Sequence, residues 1–460
     1  MPQGAADGYA WLRGLPFVTG QAGRCRYHDV VRAPMLRLQR TQSPTRWQHL
    51  HTLLADTYQQ RRRTLEAALP ADKYWDDAAW REDRLNETYH RLCADPRQAL
   101  PDTLQQALHA CYQGAAVLRR WSQILTQAGI DTDTTPLTTW AVRLTPPAPE
   151  TDDTTVLVNA LTQLLSAPGL ATADQALAHS LRGREHSSAK RYQQALTDYT
   201  TALTLDPHLD RAHYGRGVAH RFLRHYDDAL ADFNHALELN PDDAWSIAIR
   251  GATHRLAGHY DDALADLNHA LELNPDNAWA IAIRGATHCG MGYYDDALAD
   301  FNHALELNPD DAWSIAIRGA THRLAGHYDD ALADFDHALE LNPDDAWVHF
   351  QVAATLRLLA RPREHEHWRK AVEILTAETS AGGSSTVHAR GILLVVYCAL
   401  PEWDNAAEEL ERFLACAPKP SHIREALQDL TDLPQTLPVA PTLLQPLRQR
   451  LENAAAGTIT

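Results

Sequence analysis

Between residues 176 and 345 the small and apolar positions repeat with a step of 34, far longer than the step of one helix or strand. Pro207, Pro241, Pro275, Pro309 and Pro343 keep it, as do Gly183, Gly217, Gly251, Gly285 and Gly319, and Ala195, Ala229, Ala263, Ala297 and Ala331. An internal period of this length marks an array in which each unit buries its apolar face against the next. The units are 176–209, 210–243, 244–277, 278–311 and 312–345. A degenerate sixth covers 346–379, and a seventh at 387–420 keeps Ala406 and Pro418 at the expected offsets. Within the unit at Ala244 the pattern predicts two helices. Gly258 ends the first, as a residue that tolerates a left-handed backbone. Asp261 and Asp262 place negative charge at the start of the second, where the dipole favours it. Asn274-Pro275 stops it, because the residue before proline is driven out of the α region.

The spacing of Gly251, Gly258, Tyr260, Ala263, Leu267, Ala270 and Pro275 resembles the tetratricopeptide-repeat family, firmly over 176–345 and loosely over 346–420. The resemblance implies a right-handed superhelix of helix pairs, with Ser421–Leu433 as the candidate capping helix. It also gives meaning to the tryptophans. At about 100° per residue, Trp245 lies about 120° from Gly251, whereas Ile247 lies within about 40° of it. Trp245 is therefore off the packing stripe, at a position that lines the concave groove in the family. Trp245, Trp279, Trp313 and Trp347 are expected to form a ladder there, with Arg255 and Arg323, and with Tyr214 and Arg221 in an earlier repeat. Tryptophan and arginine dominate binding hot spots. The alternative is that each indole packs against its neighbour. Ile249, Ile283 and Ile317 occupy the place of the asparagine that grips a C-terminal carboxylate in some family members, so that mode is not expected. The units at 244 and 312 differ only at Leu267/Phe335, Asn268/Asp336 and Asn277/Asp345, a surface suited to an extended or repetitive partner.

The front half reads differently. FVTGQAGRCRYH predicts a short hairpin turning at Gly20–Gly23. A helix follows over about Asp29–Thr41, and Ser43-Pro44 is read as a cap followed by proline at the first helical position. Leu50, Leu53, Leu54 and Tyr58 stand at helical spacing, and further helices are placed near Ala78–Ala94 and Asp102–Ala128. Residues 131–155, rich in Thr, Pro and Asp, read as a linker. RYHDVVR (Arg26–Arg32), a hairpin running into His-Asp and a helix, resembles the end of the winged helix of signal-transduction (STAND, NLR-like) ATPases. WQHLHTLLADTY and TYHRLCADPRQAL resemble the helices that follow in actinobacterial members, which often end in tetratricopeptide arrays. The resemblance implies that His28, with Asp29 beside it, senses a nucleotide phosphate. No GxxxxGK[ST] string occurs in the chain, so that role requires a separate ATPase as partner. The expected organisation is a partial winged-helix-like segment (1–43), a helical domain (44–130), the linker (131–155), a helical lead-in (156–175), six repeats (176–379), a repeat-like unit with its cap (387–433) and a Pro-rich tail with a helix (434–460). The fold class is thus an all-α tetratricopeptide-repeat solenoid behind a helical domain with a small winged-helix-like hairpin remnant.

Charge narrows the choice of partner. Residues 244–345 hold 18 Asp/Glu against 5 Arg, a balance of −13, which repels phosphate backbones. Residues 1–63 hold 10 Arg against 3 Asp, a balance of +7, so DNA binding through the basic start is the alternative in another class. A non-functional gene fragment is a further one. The six cysteines form no CxxC pair, which favours a reducing, cytoplasmic setting over a disulfide framework or zinc ribbon. The longest apolar run, Gly391–Leu400, is too short to span a bilayer. His254 and His259 straddle the inter-helix loop, and His269 sits on the other helix, so no metal site and no cofactor are expected. Without GxSxG, HExxH or a phosphate loop, no enzyme is expected. The leading reading is a non-enzymatic scaffold or sensor that binds a protein or peptide in the groove, as the C-terminal half of an NLR-like regulator.

Overall fold

Aspartate side chains set where many of the helices begin. Asp77, Asp95 and Asp152 in the front half, and Asp243, Asp311 and Asp345 in the repeats, each accept a hydrogen bond from a first-turn backbone amide. Asn277 does the same. Each satisfies a donor that has no partner within its own helix. Ser43 makes no such bond although Pro44 opens the next helix; the cap read there is corrected, and only the proline's preset φ marks the start. In this computed structural model the described residues are 18–21, 24–27, 29–145, 152–381, 386–400, 402–416 and 441–456, with scattered positions between 418 and 430. The chain divides into two units, Met1–Pro241 and Asp242–Thr460.

The first unit opens with an antiparallel hairpin, β1 (Val18–Gln21) and β2 (Arg24–Tyr27), with Val18 opposite Tyr27. Next come α1 (Asp29–Gln42), α2 (Pro44–Glu66), a 3-10 turn at Ala71–Asp76, α3 (Ala78–Ala94), α4 (Pro96–Tyr112), α5 (Ala115–Thr132), α6 (Thr135–Leu144), α7 (Asp153–Leu165), α8 (Thr172–Ser188), α9 (Tyr192–Leu205), α10 (Asp210–Phe222) and α11 (Tyr226–Leu239). One core runs from Trp47 through Leu108, Trp121 and Leu137 to Leu181. The buried indoles keep their N–H groups satisfied: Trp47 donates to the Cys93 carbonyl at 2.9 Å and Trp121 to the Thr103 carbonyl at 3.1 Å.

Two readings of the front half are corrected. The stretch read as one helix over Asp102–Ala128 is two, α4 and α5, broken where Gly114 takes φ +106°. Residues 135–144 of the supposed linker form α6, with Leu137, Trp140, Ala141 and Leu144 buried. Their i, i+3, i+4, i+7 spacing makes one apolar face; the Thr- and Pro-rich surroundings masked it.

The second unit is a run of helix pairs: α12 (Ala244–Ala257) with α13 (Tyr260–Leu273), α14 (Ala278–Gly290) with α15 (Tyr294–Leu307), α16 (Ala312–Leu324) with α17 (Tyr328–Leu341), α18 (Ala346–Leu358) with α19 (Glu364–Ala381), and α20 (Thr386–Ala399) with α21 (Trp403–Ala415), followed by α22 (Pro441–Ala455). Helices pair closely because glycine faces an aromatic or leucine. A Cβ on Gly319 would lie 2.9 Å from Phe335 Cε1, and one on Gly251 3.0 Å from Leu267 Cγ. Leu267, Phe301 and Phe335 are fully buried beneath these glycines. Part of the capping stretch read at Ser421–Leu433 lies outside the described residues; the described positions there are helical, and Ile423, Ala426 and Leu430 join the core that α22 completes with Leu444, Leu447 and Leu451.

Candidate functional site

Within the second unit the first helices of successive repeats, α12, α14, α16 and α18, touch one another, whereas the second helices make at most marginal contact among themselves. The first helices carry the four tryptophans. Trp245 and Trp313 are 47% and 40% exposed, large fractions for indoles on packed helices. Trp279 is half-buried, with its ring 5.1 Å from that of Trp245 at an interplanar angle of 41°. Trp347 is half-buried and leans on the cluster around Phe335 and Val348. Packing and exposure therefore coexist: Trp245 makes a tilted ring contact with its neighbour and still presents a face.

Sequence reasoning missed Leu256 and Leu324, which are 38% and 49% exposed. Each follows its tryptophan by eleven residues, about three helical turns, and so stands within about 20° of it around the axis. Trp245 with Leu256, and Trp313 with Leu324, make an apolar stripe along one face of α12 and α16. The signal was present in that spacing.

Arg255 and Arg323 are half-buried. Cys289 holds the equivalent place in the intervening repeat. Burial pushes its thiol up, against the downward pull of the Arg255 and Arg323 charges beside it. In the first unit, burial lowers the Arg221 guanidinium from its usual range, and it lies 5.6 Å from the Phe222 ring centre. The Tyr214 ring packs 5.9 Å from that of Phe233. Asp29 begins α1, whereas His28 lies outside the described residues.

A second periodic feature went unread. Arg250 grips Asp266 with two hydrogen bonds, Nε to Oδ2 at 2.8 Å and Nη2 to Oδ1 at 2.6 Å, tying the first helix of the repeat to the second. Arg182–Asp198, Arg216–Asp232, Arg284–Asp300 and Arg318–Asp334 repeat the pair. Each pair is sixteen residues apart, and both partners keep the step of 34.

The histidines also stand differently from the reading that set His254 and His259 apart across the loop. Gly258 at φ +85° closes a turn in which the His259 amide donates to the His254 carbonyl at 2.9 Å. That bond folds the two histidines to one side, 5.8 Å between ring centres, with Asp262 one helical turn on. Among the described residues three such groups occur, His220/His225/Asp228, His254/His259/Asp262 and His322/His327/Asp330, each with one donor atom per residue lying within 4.8 Å of the others. Burial lowers the pKa of His220, His254 and His322, so these imidazoles are neutral near pH 7.

Tetratricopeptide-repeat models match residues 210–243, 284–311 and 315–345. No curated protein matches the chain. Among solved structures, the chain is similar to YrrB, described as a tetratricopeptide-repeat protein with an unusual peptide-binding site, at 25% identity over 42% of this chain and 96% of that one, with a TM-score of 0.34. A tetratricopeptide-repeat protein from Parabacteroides merdae is 19% identical over 59% of this chain and 97% of that one, with a TM-score of 0.45. A thermophilic one from Thermus thermophilus is 24% identical over 39% and 98%, with a TM-score of 0.35. Among the described residues no helix is long and apolar enough to cross a membrane. The unmatched unit at 244–277 differs from that at 312–345 at three positions only. The repeated helix pairs, with models matched at three of the repeats, make the fold an all-α tetratricopeptide-repeat solenoid.

Proposed function

We propose that the chain is a non-enzymatic, cytoplasmic interaction scaffold whose second unit takes a protein or peptide segment along the first helices of its repeats. The observation that carries this is the exposure of Trp245 and Trp313 in register with Leu256 and Leu324. Isolated exposed apolar residues are ordinary; a repeated stripe of indole and leucine is the surface that recognition uses. Arg255 and Arg323, on the same helices as Trp245 and Trp313, favour a ligand that offers carboxylates among its apolar side chains. Tyr214 and Arg221 are the corresponding candidates in the first unit.

The test is selection from a displayed peptide library on the full chain, followed by affinity measurement for Trp245→Ala/Trp313→Ala. Loss of one buried tryptophan anchor costs about 2 kcal/mol or more, roughly 30-fold in Kd. The double variant should lose at least that much while its circular dichroism stays unchanged. Equal affinity in both proteins would remove the groove from the function.

A finer context rests on RYHDVVR. The order of hairpin, then α1, agrees with the segment of STAND ATPases it resembles. On that reading the chain acts as the sensor half of an NLR-like regulator beside a separate ATPase. Co-purification of such an ATPase with the full chain, lost on deletion of residues 1–43, is the expected result; no association in either protein would end this reading.

A further inference from the structure

We propose that the three His-His-Asp corners, His220/His225/Asp228, His254/His259/Asp262 and His322/His327/Asp330, are binding sites for a zinc-type divalent cation, one per repeat. Two imidazoles and a carboxylate suit first-row divalent ions. Each corner holds its three donor atoms within 4.8 Å of one another. Ligands at about 2.0–2.2 Å around one ion stand about 3.3 Å apart in a tetrahedron, so rotation of the two exposed side chains in each corner closes the set. Three protein ligands leave a fourth position for water or for an acidic group of a bound partner.

The arrangement of the first histidine supports the assignment. In His220, Nε2 turns toward Asp232 Oδ2 at 4.0 Å and Nδ1 toward Asp228 Oδ2 at 3.9 Å. In His254, Nε2 turns toward Asp266 Oδ2 at 3.9 Å. Asp232 and Asp266 are the carboxylates already fixed by Arg216 and Arg250. A carboxylate behind the outer nitrogen is the position from which metal sites orient a ligating histidine; at 3.9–4.0 Å these carboxylates are ionic neighbours rather than hydrogen-bond acceptors. The Nδ1 atoms of His220, His254 and His322 are buried without a hydrogen-bond partner, so each keeps a nitrogen uncommitted.

The array contains its own controls. In the repeat at 278–311, Tyr293 stands where the second histidine would be. There His288 Nδ1 hydrogen-bonds Asp300 Oδ2 at 3.0 Å and is committed to it. In the first repeat His186 also has a buried, unpartnered Nδ1, but Arg191 and Gln194 fill the other two places. An unpartnered nitrogen alone does not make the site; the second histidine and the aspartate complete it.

The experiment is equilibrium dialysis of the full, chelator-stripped chain against Zn²⁺ alone, with metal counted per chain. Three ions of one affinity class are expected. His225→Tyr, His259→Tyr and His327→Tyr, each installing the residue the fourth repeat carries naturally, should each remove one ion, and together all three. If a tyrosine variant loses helicity, Asp228→Asn, Asp262→Asn and Asp330→Asn at exposed positions give the same count. Absence of saturable binding overturns the proposal. So does a stoichiometry indifferent to these substitutions, as binding at the His51–His90 or His349–His367 pairs would give.

Discussion

Removing the Asp266 carboxylate tests how far the periodic Arg–Asp pair holds a repeat together. Oδ1 and Oδ2 each accept one guanidinium hydrogen bond from Arg250, at 2.6 and 2.8 Å. A charge-assisted hydrogen bond contributes about 1.5–3 kcal/mol net. Truncating one member of a fully buried pair costs about 3–5 kcal/mol, because the other charge is stranded. Here the Asp266 side chain is 12% exposed and that of Arg250 24%, so a stranded guanidinium reaches water with a small movement. Asp266→Ala should therefore cost about 2–3 kcal/mol, below the fully buried value. Asp266→Asn preserves shape and one acceptor and should cost about 1–2 kcal/mol. An array unfolds by repeats rather than all at once, so a single global midpoint misreads the loss. The assay is amide hydrogen exchange over α12 and α13. A local loss of 2 kcal/mol lowers protection about 30-fold there. A double-mutant cycle with Arg250→Ala should return a coupling of about 2 kcal/mol. Protection unchanged in Asp266→Ala, with zero coupling, would refute the reasoning and reduce the pair to a surface contact worth about 0–1 kcal/mol.

Three further outcomes are expected. Gly319→Ala forces a Cβ to within 2.9 Å of Phe335 Cε1; overpacking of about 1–3 kcal/mol, offset by about 1 kcal/mol of helix propensity, should lower amide-exchange protection over α16 and α17, and Phe335→Leu in the same chain should recover part of it. Trp140, 7% exposed in α6, should cost about 3–5 kcal/mol on truncation to alanine; limited proteolysis at 135–144 that is equally fast in both proteins would restore the linker reading. Burial lowers His51 and His90, joined through their Nδ1 atoms at 2.9 Å, from 6.5 to about 4. Their neutral forms belong to the folded state, so stability is complete above pH 6.5 and falls as pH drops toward about 4. His90→Phe should flatten that acid slope in urea titrations, and an unchanged slope would dismiss the pair as its source.

Much of this protein was written in its sequence because repetition makes local signals add. One Gly-x6-Gly or one Asn-Pro says little; copies in phase at a step of 34 fix the helix pairs, the turn at Gly258 and the small residues between helices. The first helices' tryptophans were legible as departures from the packing stripe by angle alone. The front half had no such redundancy. There α6 was lost in its composition, and the break at Gly114 was lost in a helical pattern that continues across it.

What the tertiary structure alone decided are the relations between side chains on different helices. Arg250 and Asp266 are sixteen residues apart, a separation with no meaning in one helix, and they meet only because α12 and α13 are antiparallel. His254 and His259, read as opposed across a loop, come together because a left-handed glycine lets the second histidine's amide bond the first one's carbonyl. Whether an indole is covered depends on which side chains of other helices reach it, which left Trp245 and Trp313 exposed and Trp279 and Trp347 half-buried. Periodicity is a property of one chain direction and can be read in one dimension. Convergence of charges, ligands and exposed rings depends on three-dimensional distance, and only the folded chain supplies it.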